Sequence, residues 1–250
     1  MYDVYEFVMR YATWTPPKAY KTLFPASRFR LVFAKSVVLN SLNCSLFISM
    51  LSEMALAGQA ALICGGVKNL GAAIALQLAG EGAPLALHYN SPSSEAEASK
   101  LQATLKKDFP DLPVKIYQGD LTTAKAVRDL FAAVLKDFDS LDIVINTVGM
   151  VLKKPLTEIS EEEYDKMFAV NSKSAFFITQ EAAKHVRDGG KIINTVTSLL
   201  AAYTGFYTSY AGSKAPVEDF TKGLSKELMP RRISVNCVAP GPMVRVRLVI

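Results

Sequence analysis

The sequence predicts a doubly wound α/β fold, in which helices cover both faces of a parallel sheet. Two observations lead to this prediction. From residue 55 onward, short apolar runs rich in strand-forming residues alternate with amphipathic stretches of helical length. Such an alternation requires right-handed crossovers and buries each strand between helices. In addition, a chain of 250 residues is long enough for one large domain with a sizeable core.

The predicted strands and helices follow each other in a regular order. The strands cover residues 60–64, 84–89, 114–117, 141–146, 191–197 and 233–237. The helices cover residues 70–79, 92–109, 120–138, 161–185 and 207–228. Each segment between two strands is therefore long enough to form the helical crossover that parallel strands need.

Charge and cysteine content exclude several classes of function. The chain has 28 Lys and Arg against 23 Asp and Glu, but residues 55–250 hold 22 and 20 of them. This nearly neutral body predicts no nucleic-acid partner. Three scattered cysteines, Cys44, Cys64 and Cys237, suit a reducing compartment. With two histidines and no paired cysteines, no metal site is expected.

Residues 1–54 form a basic and apolar extension, separate from the predicted domain at residues 55–250. Residues 7–52 contain no Asp or Glu, and 14 of the 21 residues from 31 to 51 are apolar. Three interpretations stay open: a poorly ordered extension or a natural start at Met54, a transit segment, or a membrane anchor. The first favours a cytoplasmic protein and the second a mitochondrial one, and membrane contact through residues 31–51 is the least favoured.

The first predicted strand and helix are joined by a glycine turn that suits a phosphate group. Residues 62–71 comprise a strand end, a turn and a helix start. Gly65 permits a tight turn, and Gly71 lets the helix pack closely on the sheet. The free N–H groups of the helix start can then hold a pyrophosphate, although paired glycines also end strands for purely structural reasons.

At this turn the chain resembles the short-chain dehydrogenase/reductase family, and in particular its members that resemble 3-oxoacyl-carrier-protein reductases. The resemblance runs from residue 57 to 243 and implies a Rossmann-type fold. The family's turn is Thr-Gly-x-x-x-Gly-x-Gly, in which Cys64 here replaces the Thr while Gly65 and Gly71 match. Asn69 replaces the middle glycine, and Asn tolerates left-handed backbone angles better than most residues.

Two further segments resemble the segments with which the family contacts its cofactor. Asp120, followed by Leu121, resembles the family's adenine-contacting aspartate, and its alternative role is to cap the next helix. Asn146 and Gly149 match the ends of the family's Asn-Asn-Ala-Gly segment. The resemblance implies that the following residues bind the cofactor: Gly65, Lys68, Asn69, Leu70, Gly71, Asn90, Ser91, Asp120, Leu121, Asn146, Gly149, Tyr210, Lys214, Pro240 and Gly241.

The residues after the second strand favour NADP(H) over NAD(H), which stays an alternative. An acid there would accept the ribose hydroxyls of NAD, but no acid follows until Glu95. Lys68 can reach a 2′-phosphate, and Asn90 and Ser91 can donate hydrogen bonds to it. The alternative interpretation of Lys68 is a solvated loop charge.

Tyr210 and Lys214 are the predicted catalytic pair. Their spacing of four residues puts a phenol and an ammonium on one helix face. A nearby cation lowers the pKa of a phenol toward the range in which it exchanges protons. By resemblance, Tyr210 donates a proton and Lys214 also holds the nicotinamide ribose. The substrate is then a small carbonyl compound or secondary alcohol.

Three more residues complete the predicted catalytic set. The family has a Ser thirteen positions before the Tyr, which gives Thr197 by spacing and Ser198 by residue type, and both stay open. Asn171 matches the family's helix Asn, whose backbone holds a water in a proton relay to Lys214. Its alternative role is a polar residue that bends a long helix.

The last segments concern the substrate and the end of the chain. Apolar residues between 199 and 207 predict an apolar substrate lining. Pro240 and Gly241 resemble the loop that closes over the nicotinamide. The eight residues from Met243 to Ile250 cannot supply the family's substrate lid, last helix and last strand. This predicts weak cofactor binding, an exposed sheet edge and a doubtful family-type homo-oligomer. A non-catalytic dinucleotide-binding protein, from a truncated product, is therefore the alternative function.

Overall fold

The computed structural model describes residues 55–242. Three predictions fall outside these residues: the extension at 1–54, the apolar stretch at 31–51, and the segment at 243–250. Within the described part of the chain, no helix is both long enough and apolar enough to cross a membrane.

Residues 55–242 build a parallel sheet of six strands. The strands are β1 (Ala61–Cys64), β2 (Leu85–Tyr89), β3 (Val114–Gln118), β4 (Leu141–Asn146), β5 (Val186–Thr195) and β6 (Ser234–Val238). Their order across the sheet is β3-β2-β1-β4-β5-β6. The chain therefore winds outward in both directions from β1 and β4, and a crevice opens at the carboxyl ends of these two strands. The predicted doubly wound fold is confirmed.

Six α-helices and four short 3₁₀ helices connect these strands. The α-helices are α1 (Asn69–Gly80), α2 (Glu95–Asp108), α3 (Ala124–Asp137), α4 (Glu161–Phe168), α5 (Ser174–His185) and α6 (Thr208–Glu227). The 3₁₀ helices cover Pro92–Ser94, Leu156–Glu158, Ser198–Leu200 and Met229–Arg231. Most predicted elements lie within a few residues of those observed, and three differences bear on the site.

The helix expected over residues 161–185 is interrupted by a π-helical turn at Ala169–Lys173, between α4 and α5. Such a turn inserts one extra residue and shifts the helix face that follows it. Asn171 lies in this turn, is fully buried, and bonds both main-chain polar groups of Met150. The turn thus presents a polar side chain to the loop after β4.

The helix expected from Asp120 begins four residues later. Thr123 is its N-cap, and the Thr123 hydroxyl accepts the N–H of Ala126 at 3.2 Å. The Asp120 carboxylate instead accepts the N–H of Thr122 at 3.0 Å and closes a local turn. The capping role considered for Asp120 is therefore wrong, because Thr123 directly precedes the helix and already satisfies its free N–H group.

Strand β5 begins five residues earlier and ends two residues earlier than predicted. It includes Gly190, where an added side chain would collide with Val186 and with the carbonyl of Asp142 on β4. Gly190 therefore lets β4 and β5 pack closely. As a consequence, Thr197 lies beyond the strand and caps the 3₁₀ helix at Ser198–Leu200.

Two apolar clusters cover the two faces of the sheet. Successive residues of β1 alternate between them, with Leu62 on one face and Ile63 on the other. Phe131 of α3 and Ile178 of α5 pack with Leu62, whereas Leu105 of α2 packs with Ile63. The sheet is thus buried on both faces, which holds the carboxyl ends of the strands in fixed positions.

Candidate active site

A cavity of about 670 Å³ runs along the carboxyl ends of the strands. It extends from the turn after β1 to the first half of α6, where its lining includes Tyr210 and Lys214. In open α/β sheets, ligands bind in the crevice where the strand order reverses. We call the part at β1, β2 and β3 the adenosine half, after the cofactor binding that the sequence predicts there. We call the part at β4, β5 and α6 the catalytic half, after the predicted catalytic pair.

The turn after β1 has the backbone geometry that its sequence predicts. Gly65 adopts a φ of 78°, which glycine reaches without strain. Asn69, at the first residue of α1, adopts a φ of 47°, so the expected left-handed conformation is confirmed. A side chain at Gly71 would overlap the Gly65 carbonyl, because the helix start packs directly on the turn. The N–H groups of the helix start therefore stay close to the cavity.

Cys64 lies under this turn as a fully buried thiol. Burial raises its pKa to about 12, so the thiol stays protonated and acts as a small apolar side chain. The hydroxyl of Thr147, just after β4, donates to the Cys64 carbonyl at 2.9 Å and lies 3.1 Å from the Gly65 carbonyl. Thr147 thus connects the exit of β4 to the glycine turn.

Lys68 borders the adenosine half and is held there by an ion pair. Its ammonium lies 3.0 Å from the carboxylate of Glu97 on α2. This contact lowers the pKa of Glu97, whose carboxylate stays charged. Asn90 and Asp120 also line this half, but Ser91 does not, and its hydroxyl hydrogen bonds to Ser93 at 2.8 Å. Lys68 is therefore a positioned cation rather than a freely solvated one.

Lys214 is buried at the catalytic end of the cavity, with 4% of its surface exposed. Its ammonium donates to the Thr195 carbonyl at 3.0 Å and to the Val148 carbonyl at 3.3 Å. Burial lowers the pKa of Lys214 to about 8. Since an ammonium has three N–H donors, one donor is left over after these two bonds. Tyr210 lines the same cavity, one helical turn before Lys214.

Gly149, in the loop after β4, leaves the space that the Lys214 ammonium needs. A side-chain carbon at Gly149 would come within 3.0 Å of the Lys214 ammonium. Any larger residue would therefore displace Lys214 or fill the space in front of it. The structure thus gives a reason for the glycine, which the sequence suggested only through the family's pattern.

Asn171 fixes the catalytic turn of α6 from the side. Its amide oxygen accepts the N–H of Met150 at 2.8 Å, and its amide nitrogen lies 2.8 Å from the hydroxyl of Ser213. The Ser213 hydroxyl in turn donates to the Tyr210 carbonyl at 2.7 Å. Asn171 does not line the cavity, and its hydrogen bonds connect it to Ser213 of α6 and to the loop at Met150.

Asn146 also differs from its expected role in the lining. Its side chain is buried, with its amide oxygen accepting the N–H of Val148 at 3.0 Å. Its amide nitrogen contacts the Asn194 oxygen at 3.3 Å, and Asn194 bonds further to Thr179 and Thr221. The first residue of the segment therefore supports the wall of the site from below, while Val148 and Gly149 form its surface.

In the segment after β5, Val196 lines the cavity, whereas Thr197 and Ser198 do not. The hydroxyl of Thr197 accepts the N–H of Leu199 at 3.3 Å, and the Ser198 N–H donates to the Pro240 carbonyl at 3.0 Å. Gly241 lies on the same loop, near the Ser198 hydroxyl. None of these residues lines the 670 Å³ cavity, so the structure leaves the choice between Thr197 and Ser198 open.

The apolar substrate lining expected from residues 199–207 is wrong for this cavity. Leu199, Tyr203 and Tyr207 line a separate cavity of about 400 Å³ along the outer face of α6. Phe206 is 55% exposed and lines neither cavity. Aromatic content alone cannot tell which side of a helix a loop covers, and this explains the error.

Several residues of the lining were missed because nothing in their type indicates a site. Seven of the fourteen are apolar, and six more are Ser, Thr or Lys residues of the kind found on any surface. His88 is the exception, since a histidine inside an apolar strand is a visible signal. The missed residues are Val67, His88, Tyr89, Ser94, Thr122, Thr147, Val148, Met150, Val151, Lys166, Val170, Ser174, Thr195 and Val196.

The chain matches known proteins over most of the described region. The family model described as Enoyl-(Acyl carrier protein) reductase matches residues 65–246. The hydroxynaphthalene reductase-like protein Arp2 of Metarhizium brunneum is 39% identical over 188 residues, which are 74% of this chain and 68% of that protein. Elsinochrome reductase 1 of Elsinoe fawcettii is 35% identical over 201 residues, or 78% and 72% of the two chains.

Solved structures agree with these relatives. A crystal structure described as a dehydrogenase from Burkholderia cenocepacia, with bound NADP, is 52% identical and has a TM-score of 0.74. The match covers 80% of this chain and 76% of that one. A blue fluorescent protein from a metagenomic library, in complex with NADPH, is 32% identical with a TM-score of 0.73 and 77% coverage of both chains.

Proposed function

The chain belongs to the short-chain dehydrogenase/reductase family of oxidoreductases, and from this premise we propose that it interconverts a carbonyl and a secondary alcohol with NADP(H). The observation that carries the proposal is the cavity itself. One continuous lining joins the glycine turn and Lys68 at one end to Tyr210 and Lys214 at the other. A dinucleotide bound along it would bring its nicotinamide to the catalytic pair.

The residues of the adenosine half fit the phosphorylated cofactor. The glycine turn would hold the pyrophosphate on the N–H groups at the start of α1. Lys68 would face the 2′-phosphate, with Asn90 as a hydrogen-bond donor beside it, and Asp120 would face the adenine. Two structural relatives carry NADP and NADPH in their descriptions, which supports the same choice. When bound, the cofactor supplies or accepts a hydride at the substrate carbon.

The catalytic half contains a residue that is suited to move a proton at the substrate oxygen. We assign this role to the Tyr210 hydroxyl, which would give a proton to the developing alkoxide during reduction and accept it during oxidation. Lys214 would stabilise the phenolate form of Tyr210 and hold the nicotinamide ribose with its remaining N–H. Its two carbonyl contacts fix the ammonium in place, so it need not reorganise during the reaction.

Asn171 and the segment after β5 would have supporting roles. Asn171 would keep the catalytic turn of α6 in position through Ser213, whose hydroxyl contacts the Tyr210 carbonyl. One hydroxyl of Thr197 and Ser198 would orient the substrate carbonyl. Neither hydroxyl lines the cavity, but both follow directly after Val196, which does.

The test of the proposed function is cofactor-dependent turnover by the full chain. Purified protein is mixed with NADPH or NADH and a panel of ketones and aldehydes that differ in size and polarity, and cofactor oxidation is followed by absorbance. We expect oxidation that requires both protein and carbonyl compound and is faster with NADPH. Loss of the signal on omitting the carbonyl compound identifies the acceptor, and the reverse reaction with the matching alcohol serves as an independent check.

A non-catalytic dinucleotide-binding protein is the second candidate. The position of Thr197 and Ser198 outside the cavity lining favours it, because the substrate then lacks its expected hydroxyl contact. Binding of NADPH, measured by fluorescence, without turnover of any carbonyl compound in the panel would support this candidate. Turnover that disappears in the Tyr210→Phe variant would reject it.

A further inference from the structure

His88 is a buried polar residue in an otherwise apolar strand. It lies near the end of β2, and only 2% of its surface is exposed. Both ring nitrogens have main-chain partners. Nδ1 accepts the N–H of Gly65 at 3.3 Å, and Nε2 donates to the Gly119 carbonyl at 2.8 Å. Since an amide N–H can only donate and a carbonyl can only accept, the ring must carry its proton on Nε2.

The surroundings of His88 favour this neutral form. Burial lowers the pKa of His88 to about 4, although the Gly119 carbonyl and the charge of Asp120 act in the opposite direction. The ring is therefore neutral at physiological pH, and both hydrogen bonds can exist at the same time. A buried donor or acceptor without a partner is costly, so each bond restrains the loop to which it leads.

The two partners of His88 belong to different walls of the adenosine half. Gly65 opens the glycine turn after β1, while Gly119 directly precedes Asp120 in the loop after β3. The main chain of β2 already contacts both loops, through Gly66 to the His88 carbonyl at 2.9 Å and Gly119 to the Tyr89 carbonyl at 3.0 Å. The imidazole adds a connection that passes directly from one loop to the other.

We propose that His88 is a positioning residue that couples the glycine turn to the Asp120 loop and so preforms the adenosine half of the cavity. The inference rests on the proposed function, because it assumes that a nicotinamide dinucleotide occupies this half. His88 would act on binding rather than on hydride transfer, since its contacts lie on β1, β2 and β3 and not on the catalytic half. It would serve NADP(H) and NAD(H) equally, because neither loop contact involves the 2′-phosphate.

Three variants separate the two hydrogen bonds. His88→Leu removes both and takes away the imidazole partners of two part-buried main-chain groups, the Gly65 N–H and the Gly119 carbonyl. His88→Asn keeps an acceptor near the position of Nδ1, and His88→Gln keeps a donor near the position of Nε2. Leu85→Ala on the same strand is the matched control, since Leu85 is fully buried and does not line the cavity. Dissociation constants for NADPH and NADH, kcat and thermal unfolding are measured for the full chain.

We expect His88→Leu to weaken the binding of both cofactors by the same factor, on the order of tenfold, with kcat within about twofold of the parent. Asn and Gln should each restore part of the loss. Leu85→Ala should lower the unfolding temperature without changing either dissociation constant. Unchanged cofactor binding in His88→Leu, with only a lower unfolding temperature, would overturn the inference and leave the proposed function intact. A parent chain that binds neither cofactor would overturn both.

Discussion

The two halves of the cavity are held in place by different means. The adenosine half depends on main-chain conformation, with left-handed backbone at Gly65 and Asn69 and a single buried imidazole between its loops. The catalytic half depends on buried side chains that bond to one another and to loop carbonyls, with Lys214 and Asn171 as the main members. One half is shaped by the backbone, and the other by a polar side-chain network.

This difference teaches where single substitutions should act. The adenosine half is shaped by main-chain conformation, so its shape stays the same when exposed side chains change. Substitutions there should remove single contacts to the cofactor and therefore alter only the affinity for it. A side-chain network in a low-dielectric setting loses more when one member is removed, because its partners are left unpaired. Substitutions in the catalytic half should therefore alter kcat, and the following variants test this division.

The largest effect is expected for Tyr210→Phe. This change removes the proposed proton donor and keeps the ring, so kcat should fall by about 10²-fold or more while NADPH affinity stays the same. Steady-state kinetics and cofactor fluorescence measure the two quantities. Tyr207→Phe is the matched control, since the Tyr207 ring lies 6.2 Å from the Tyr210 ring but is not a member of the cavity lining. Near-parental turnover of Tyr210→Phe would remove Tyr210 from the proposed role.

Lys68→Glu should have the next largest effect, and on KM rather than kcat. Reversing the charge removes a charge-assisted contact to the 2′-phosphate, which predicts a rise of roughly tenfold or more in KM for NADPH. The KM for NADH should not rise. Lys125→Glu is the matched control, because it changes the net charge by the same amount. Lys125 is exposed on α3, pairs with Asp129 and does not line the cavity. Equal kinetics for both cofactors in the parent would contradict the preference for NADP(H).

Thr197→Val and Ser198→Ala should differ from each other. If one hydroxyl orients the substrate carbonyl, its removal should lower kcat/KM for the carbonyl compound by about tenfold, and the other change should have little effect. The comparison is made by steady-state kinetics at saturating NADPH. Both variants should keep parental cofactor affinity, since neither residue lines the adenosine half. Indistinguishable kinetics would mean that neither hydroxyl orients the substrate.

The smallest expected effect is a pH dependence from Lys214. Its pKa is lowered from 10.5 to about 8, so the ammonium is charged below this pH and neutral above it. Activity that needs the charge should therefore be lost as pH rises, and kcat/KM for NADPH should fall about fourfold between pH 7 and roughly pH 8.5. Lys214→Arg keeps its charge throughout and should show no such fall. A flat profile in the parent would argue against a loss of the Lys214 charge in this pH range.

The predictability of the fold and site from sequence follows the same division. Gly65, Gly71 and Asn69 encode backbone geometry in their residue type, so the glycine turn could be placed and its left-handed residue anticipated. The strand and helix alternation likewise revealed the sheet. Contacts between distant segments carry no such local signal. The ion pair of Lys68 with Glu97 depends on how α2 packs against the turn, and the sequence does not show it.

The errors have a common physical origin. Asp120 and Thr123 are both good N-cap residues, and only the tertiary path of the chain decides that Thr123 caps α3. The π-helical turn at Ala169–Lys173 is equally invisible, because it depends on the bonds that Asn171 makes to Met150. In both cases the sequence allows more than one local structure. For the π-helical turn, the hydrogen bonds that accompany the observed structure come from a residue 21 positions away.

The buried thiol of Cys64 offers a way to measure how often the structure beside the cavity opens. Alkylating reagents attack the thiolate, and a buried thiol whose pKa is raised to about 12 offers almost none of it. Cys64 can then react only during the brief openings in which the end of β1 separates from its neighbours. The rate at which the Cys64 thiol is alkylated would therefore measure the frequency of these openings. Because the Thr147 hydroxyl donates to the Cys64 carbonyl, this frequency would report how often the contact between the exit of β4 and the end of β1 breaks.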